Sequence, residues 1–215
     1  MTRMLRKIAY ALGHPEYLFT RLANPVLEAT NYDHQQWARV VMYETLFKAV
    51  TDLGPAHLEA MEISPGGPNS PWRALGFKDY VGVDFPNFDI CGERLDRQFD
   101  LIIADQVFEH LLWPYRAAKN VFAMLKPDGY FINTTPFLIK VHNVPVDCTR
   151  WTELGMKHLL AEAGFDLAQI QTGAWGNSDC VIANVKSRTW PVLGWGRNMK
   201  NEVDFPVAVW AIARK

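Results

Sequence analysis

FDLIIADQVFEH, residues 99–110, decides the fold. After Asp100 come four consecutive apolar residues, Leu101 to Ala104. The chain then turns abruptly polar at Asp105 and Gln106 and reaches the pair Glu109-His110. A strand that is apolar on both faces must be covered on both, which is the situation of a central parallel strand in an α/β sheet. Its polar end lies at the carboxyl edge of the sheet, where such folds bind ligands. MEISPGG, residues 61–67, has the same form, with Glu62 in an apolar strand that enters a glycine turn. Two buried strands emptying into polar turns place a ligand crevice between them.

Outward from these strands, the pattern alternates strand and helix. His57 to Ile63 and Tyr80 to Val83 read as strands, the second ending at Asp84. Only Pro86, Asn87 and Phe88 then separate Phe85 from Asp89, too few for a crossover helix, so a third strand around Phe88 to Cys91 is expected to be short. Ala118, Val121, Phe122 and Leu125 form a helix stripe that Lys126-Pro127-Asp128-Gly129 ends. Tyr130 to Thr134 is the next strand. Thr152 is placed to cap a helix with the stripe Met156, Leu159, Leu160, Ala163, stopped by Gly164. Leu167 to Ile170 and Val207 to Ala213 complete the strands. Residues 1–53 read as helical, with Trp37, Val40, Tyr43, Phe47 and Val50 on one stripe and Asp33 placed to cap. Residues 173–204 are irregular in pattern and hold three tryptophans. The alternation predicts a mostly parallel sheet with helices on both faces.

Composition narrows the function. The chain has 215 residues, which fits one domain with additions. Its net charge of −1 argues against a general nucleic-acid binder. Cys91, Cys148 and Cys180 have no CxxC spacing, which disfavours a disulfide framework or a zinc site and makes a reducing cytoplasm the simplest compartment. No apolar run is long enough for a transmembrane helix. The basic start MTRMLRKIAYALGHPEYLF reads as a helical cap on the domain, with an interfacial helix making peripheral membrane contact as the second reading.

Residue chemistry then points to a site. Glycines at 66 and 67 let a ligand approach the backbone, and Ser64 begins the turn. The dinucleotide fingerprint GxGxxG is absent. Glu62 beside the loop repels a pyrophosphate and suits a positively charged ligand. Asp84 at a strand end is placed to hold ribose hydroxyls, with an exposed turn residue as the other reading, and Asp89 to accept from an adenine amino group or to cap its own loop. Downstream, TTPFLIKVHNVPVDCTRWT (134–152) starts at the same sheet edge and gathers His142, Asp147, Arg150 and Trp151. Those types supply a base, a hydroxyl or anion partner and a stacking surface for a small polar substrate. An Asp147–Arg150 pair that merely braces the loop is the competing reading. His110 is the rival base to His142. Asp105 and Asn133 could offer oxygen ligands, but no acid cluster surrounds them, so no metal site is expected.

EISPGG, GVD, FDIC, FDLIIADQVFEHL, MLKPDGYFINTTP and LLAEAGF occur in the order of the class I S-adenosylmethionine-dependent methyltransferases, and residues 57–172 resemble that family. Ser64 stands where the family usually has its first loop glycine, and the segment from Asp84 to Asp89 is shortened. The H…PDxxRWT run resembles a bacterial subgroup associated with sugar, surface-polysaccharide or secondary-metabolite pathways. The resemblance implies an α/β three-layer sandwich: a seven-stranded, mostly parallel Rossmann-like sheet with its last strand antiparallel. It implies S-adenosyl-L-methionine as cofactor. Glu62, Ser64, Gly66 and Gly67 would hold its methionine part and Asp84 its ribose. Asp89, Asp105 and Gln106 would line the adenine and sulfonium region. Residues 1–53 would cap the cofactor, and 54–215 would form the methyltransferase domain with an aromatic flap at about 173–204. The expected reaction is methyl transfer to a small polar acceptor, a hydroxyl of a sugar or secondary metabolite. A non-catalytic member of the fold and a nucleotide-dependent oxidoreductase are the alternatives.

Overall fold

The computed structural model describes residues 36–66, 70–143, 145–187, 189–194 and 196–215. Asp33, Gly67 and the amphipathic reading of the first residues lie outside them. The elements are α1 (Val40–Asp52), β1 (Glu59–Ile63), β2 (Asp79–Val83), β3 (Phe99–Asp105), α2 (Pro114–Met124), β4 (Leu125–Pro136), α3 (Glu153–Ala163), β5 (Ile170–Trp175), α4 (Ser178–Lys186) and β6 (Ala208–Arg214). Six strands form one sheet in the order β2-β1-β3-β4-β6-β5. The first four are parallel to one another, and β6 runs antiparallel between β4 and β5.

The period-2 geometry of β3 sorts its side chains to two cores. Ile102 and Ala104 join α2 and α3 residues such as Val121, Met156 and Leu160. Leu101 and Ile103 join Met42, Leu46 and Val50 of α1 and Cys180 of α4. Leu101 to Ala104 are all fully buried. A continuous apolar run therefore becomes a central strand because each face has helices to cover it. Thr152 caps α3 as its position predicts, its Oγ1 accepting from Gly155 N at 3.1 Å.

Four expectations are corrected. The described sheet has six strands, not seven. The missing one is the strand expected around Phe88 to Cys91. With no length for a crossover, this segment folds as turns: Phe88 N donates to Asp84 O, and Gly92 N and Glu93 N donate to Asp89 O. Phe88 and Ile90 still plug the core, and β2 becomes the sheet edge. On α1 the fully buried positions are Met42, Leu46 and Val50. Tyr43 and Phe47, expected on the core stripe, are half-buried and stack on each other with centroids 5.1 Å apart. Leu167–Gln169 is a 3-10 turn, and the strand runs from Ile170 to Trp175. Residues 173–204 are less irregular than expected, because they contain the end of β5 and all of α4. Among the described residues no helix is long and apolar enough to cross a membrane.

β1 is flanked by β2 on one side and β3 on the other, so the chain crosses over β1 on passing from β2 to β3. That reversal opens a crevice at the carboxyl ends of β1 and β3.

Candidate active site

The crevice begins where β1 ends. Ser64 takes a left-handed backbone (φ 55°), its N–H donates to Val83 O at 2.7 Å and its hydroxyl to Asp84 Oδ1 at 2.5 Å. The loop is thereby tied to the end of β2. Gly66 has φ 67°, and a Cβ there would meet nothing within 4 Å, so the glycine leaves open space on the crevice side. Glu62 is 3% exposed. Its Oε2 accepts from Ser70 Oγ at 2.6 Å and from the Tyr80 hydroxyl. Burial raises its pKa, and the two hydroxyl donors oppose that rise. Glu62 thus ties Ser70, beyond the glycines, and Tyr80 of β2 to β1.

The two aspartates of this edge differ. Asp84 is exposed at the mouth of the crevice. Asp89 Oδ1 accepts from Cys91 N at 2.9 Å, so one carboxylate oxygen serves its own turn.

At the end of β3, Asp105 is the hub of a network. Oδ2 accepts from Tyr43 OH at 2.7 Å and from Trp72 Nε1 at 3.0 Å, and Oδ1 from Thr134 Oγ1 at 2.6 Å. One carboxylate fastens α1, the segment after the glycine loop and β4 to β3. Gln106 follows with φ 58° and points both its backbone N–H and its Nε2 at Thr134 Oγ1, each at 3.0 Å.

The next turn carries Glu109 and His110. Glu109 is 1% exposed, and neither carboxylate oxygen has a hydrogen-bond partner. Burial pushes its pKa up to about 8. The Glu109 carbonyl accepts from Cys148 N at 2.8 Å and Thr149 N at 3.3 Å, which clamps the 142–151 loop onto this turn. His110 Nδ1 lies 2.5 Å from Val146 O. A carbonyl only accepts, so Nδ1 carries the proton. The clamp brings the imidazoles of His110 and His142 to a centroid distance of 5.0 Å, nearly perpendicular.

Within the loop, Asp147 accepts from both terminal nitrogens of Arg150, with NH2 to Oδ2 at 2.6 Å, and from His142 N at 2.8 Å. The guanidinium hydrogen bond leads in holding its carboxyl at about 2, well below the usual carboxylate range. His142 Nδ1 sits 3.2 Å from Asp147 Oδ2, at ion-pair distance but off the line of a hydrogen bond. Burial lowers the His142 pKa against the opposing pull of Asp147, which favours a neutral ring at pH 7. Trp151, expected as a stacking surface, is only 9% exposed and belongs to the core with Met156 and Leu160. The aromatic ring against His142 is instead Trp190, at 5.3 Å and 89°.

Of these groups, Gln106, His142 and Trp190 line a solvent-open pocket shared with Gln36, Arg39, Pro136, Ile139 and Asn184 among others. The structure brings His142, Gln106 and the EH turn together. It leaves Asp84 and Asp89 at the β2 edge. Sequence reading gave no site role to Tyr43, Trp72 or Arg39, and covered Trp190 only as part of the expected aromatic flap. Tyr43 sits in a helical apolar stripe, and nothing in the pattern marks its hydroxyl as reaching β3. Trp190 lay in the segment already noted for its tryptophans.

A sequence profile described as "Methyltransferase domain" matches residues 28–170, well over half of the chain. No curated protein matches the chain in sequence. Among solved structures, an S-adenosylmethionine-dependent methyltransferase from Mesorhizobium loti superposes with TM-score 0.55 at 15% identity, over 78% of this chain and 96% of that one. Another, from Clostridium acetobutylicum, gives TM-score 0.55 at 12% identity over 94% and 99%. A glycopeptide N-methyltransferase solved with S-adenosyl-L-homocysteine gives 0.50 at 12% over 78% and 86%. These likenesses agree with the sheet order, the carboxyl-edge crevice and the matched domain: the chain belongs to the class I S-adenosylmethionine-dependent methyltransferases.

Proposed function

We propose that the enzyme methylates a hydroxyl of a small polar acceptor held in the pocket between Gln106, His142 and Trp190. The observation that carries this reading is the place of His142, whose imidazole lines that pocket beside the end of β3 with its pKa lowered by burial.

The crevice fits S-adenosyl-L-methionine. Gly66 leaves room for a ligand against the backbone, the loop SPGGPNS carries no basic residue that a phosphate would need, and Asp84 offers an exposed carboxylate at the end of β2. Asp84 would hold the ribose hydroxyls, and Ser64, Gly66 and Gly67 the methionine part. When bound, the cofactor supplies a methyl group on a positively charged sulfur, an already activated leaving group. The protein's share is then to position the acceptor and exclude water. Gln106 and Arg39 supply polar contacts for it, and Trp190 an aromatic wall.

A hydroxyl must also lose its proton. A neutral imidazole can take it during the transfer, as the hydroxyl oxygen bonds to the methyl group and becomes far more acidic. Asp147 fixes the backbone at His142 and lies beside Nδ1, so it orients the ring and stabilises the imidazolium. Arg150 holds Asp147 in place in this arrangement, which makes it a positioning residue rather than a substrate grip. The segment around Trp190 would form the flap over the pocket mouth.

The test is a methyl-transfer assay with labelled cofactor over a panel of sugars and phenols. His142→Gln should lower turnover by roughly 100- to 10,000-fold while cofactor affinity stays near wild type. Normal turnover in that variant removes the base assignment. Loss in His110→Gln alone moves it to the EH turn. Turnover of amines only would replace the hydroxyl.

A further inference from the structure

We propose that Glu109, His110 and His142 form a binding site for one divalent transition-metal ion, adjoining the acceptor pocket at His142. Each side chain offers one ligand atom, and the three atoms lie within 4.8 Å of one another. Ligands bonded to a single zinc-sized ion at about 2.0–2.2 Å stand roughly 3–3.5 Å apart. Side-chain rotations of about 1 Å therefore close the set.

The electrostatics ask for a positive occupant. Glu109 is buried, and both of its oxygens lack a hydrogen-bond donor. A buried carboxylate without partners is costly, and the usual remedies are a cation or a proton. His110 Nδ1 is committed to Val146 O, so its Nε2 bears a lone pair, and that atom faces Glu109 Oε1 at 3.6 Å. Two electron-rich atoms face each other across a gap too wide for a hydrogen bond. An ion between them turns this repulsion into two bonds.

The surroundings match a metal centre in a second respect. Ligating histidines usually hold their other nitrogen against a carbonyl or a carboxylate, which fixes tautomer and orientation. His110 has the Val146 carbonyl in that position, and His142 has Asp147 at 3.2 Å, itself held by Arg150. Two imidazoles and one carboxylate suit zinc, manganese, iron or cobalt better than calcium or magnesium. His142 lines the pocket, so the site adjoins the acceptor through that ring.

Ion binding rests on this geometry alone. Its consequence for catalysis rests on the hydroxyl-acceptor reading. With the lone pair of His142 given to the ion, a coordinated hydroxyl is activated by the metal instead. Its O–H bond breaks heterolytically, the electron pair stays on oxygen and the proton passes to water.

The experiment is calorimetry of the full chain, stripped with a chelator and titrated with ZnCl2 and separately with CoCl2. One equivalent should bind, and the cobalt protein should show visible absorption of a low-coordinate nitrogen–oxygen site. Glu109→Gln and His110→Gln should each weaken binding by at least about 10- to 100-fold. Cys148→Ser should leave the stoichiometry at one, because the thiol is outside the set. If Glu109→Gln fails to melt cooperatively, His110→Gln carries the test, since its ring lies nearer the surface. No saturable binding below about 1 mM, or equal affinity in both variants, overturns the proposal and leaves a proton on the buried Glu109 carboxyl as the remedy for its burial. The readout is ion binding, so an acceptor screen that finds no substrate does not touch it.

Discussion

Asp105→Asn is the substitution that most directly tests how the crevice is assembled. The side chain keeps its volume but loses its charge and one acceptor oxygen. In the wild type, three donors converge on the carboxylate: Tyr43 OH and Trp72 Nε1 on Oδ2, and Thr134 Oγ1 on Oδ1. The amide would keep its oxygen toward the first two and turn its NH2 toward Thr134. Thr134 Oγ1 cannot simply accept instead, because it already receives two N–H groups from Gln106. A hydrogen bond to a charged partner contributes about 1.5–3 kcal/mol and a neutral one about 0.5–1.5, so each of three bonds loses about 1 kcal/mol. The total is about 2–4 kcal/mol, the spread reflecting bonds that share one side chain. For a chain of this size that lowers the melting temperature by about 5–15 °C. The assay is thermal unfolding of the unliganded protein followed by circular dichroism. Tyr43→Phe in parallel should lose only its own bond, about 1–2 kcal/mol. A melting temperature within about 2 °C of wild type in Asp105→Asn would refute the hub. If cofactor affinity alone fell, Asp105 would belong to the binding surface, as the family pattern implies.

Asp84→Ala should weaken binding of S-adenosyl-L-homocysteine by roughly 10- to 100-fold in calorimetry, while the unliganded melting temperature hardly moves, because the side chain is exposed. An unchanged dissociation constant would place Asp84 outside the site. Arg150→Ala should destabilise the fold and lower kcat together with acceptor affinity, because Asp147 loses its main partner. A pure rise in the acceptor's KM with normal stability would instead make Arg150 a substrate grip. The Asp147 carboxyl, held at about 2, should stabilise the fold at all pH values above its unfolded value near 3.8, and that share should vanish as pH falls through 2. Screened at a loop, it amounts to about 1 kcal/mol. Acid-unfolding curves of wild type and Asp147→Asn should converge toward pH 2, and a gap that persists there would contradict the ion pair.

Much of the architecture was written in local pattern. Leu101 to Ala104 announces a strand covered on both faces, because only that environment removes four successive apolar side chains from water. Thr152 announces a cap because its hydroxyl reaches an N–H three residues on, whatever the rest of the chain does. The shortened link after Asp84 announces a trimmed edge, since a crossover needs length. It did not announce that the third strand disappears, because whether four residues still pair depends on what lies beside them.

The site was legible in parts. His142, Asp147 and Arg150 stand within nine residues of each other in sequence, so their meeting was a short-range matter, and the brace reading of the ion pair was available from spacing alone. The burial of Trp151 was not. An aromatic residue reads the same in sequence whether it faces a pocket or the core, and the packing of α3 against the sheet decided it. Nor could sequence pair Tyr43 with Asp105, Glu109 with His142, or His142 with Trp190. Those separations run from 33 to 62 positions, and closing them depends on the crossover handedness, the clamp from the Glu109 carbonyl and the path of the chain after α4. The sequence by itself determined the layered α/β fold, the family and the edge at which the chemistry sits, because periodicity and turn chemistry are local. Only the tertiary structure decided which charges are paired, which carboxylate is left buried and without a donor, and which aromatic ring faces the acceptor, because each of those is settled by neighbours distant in the chain.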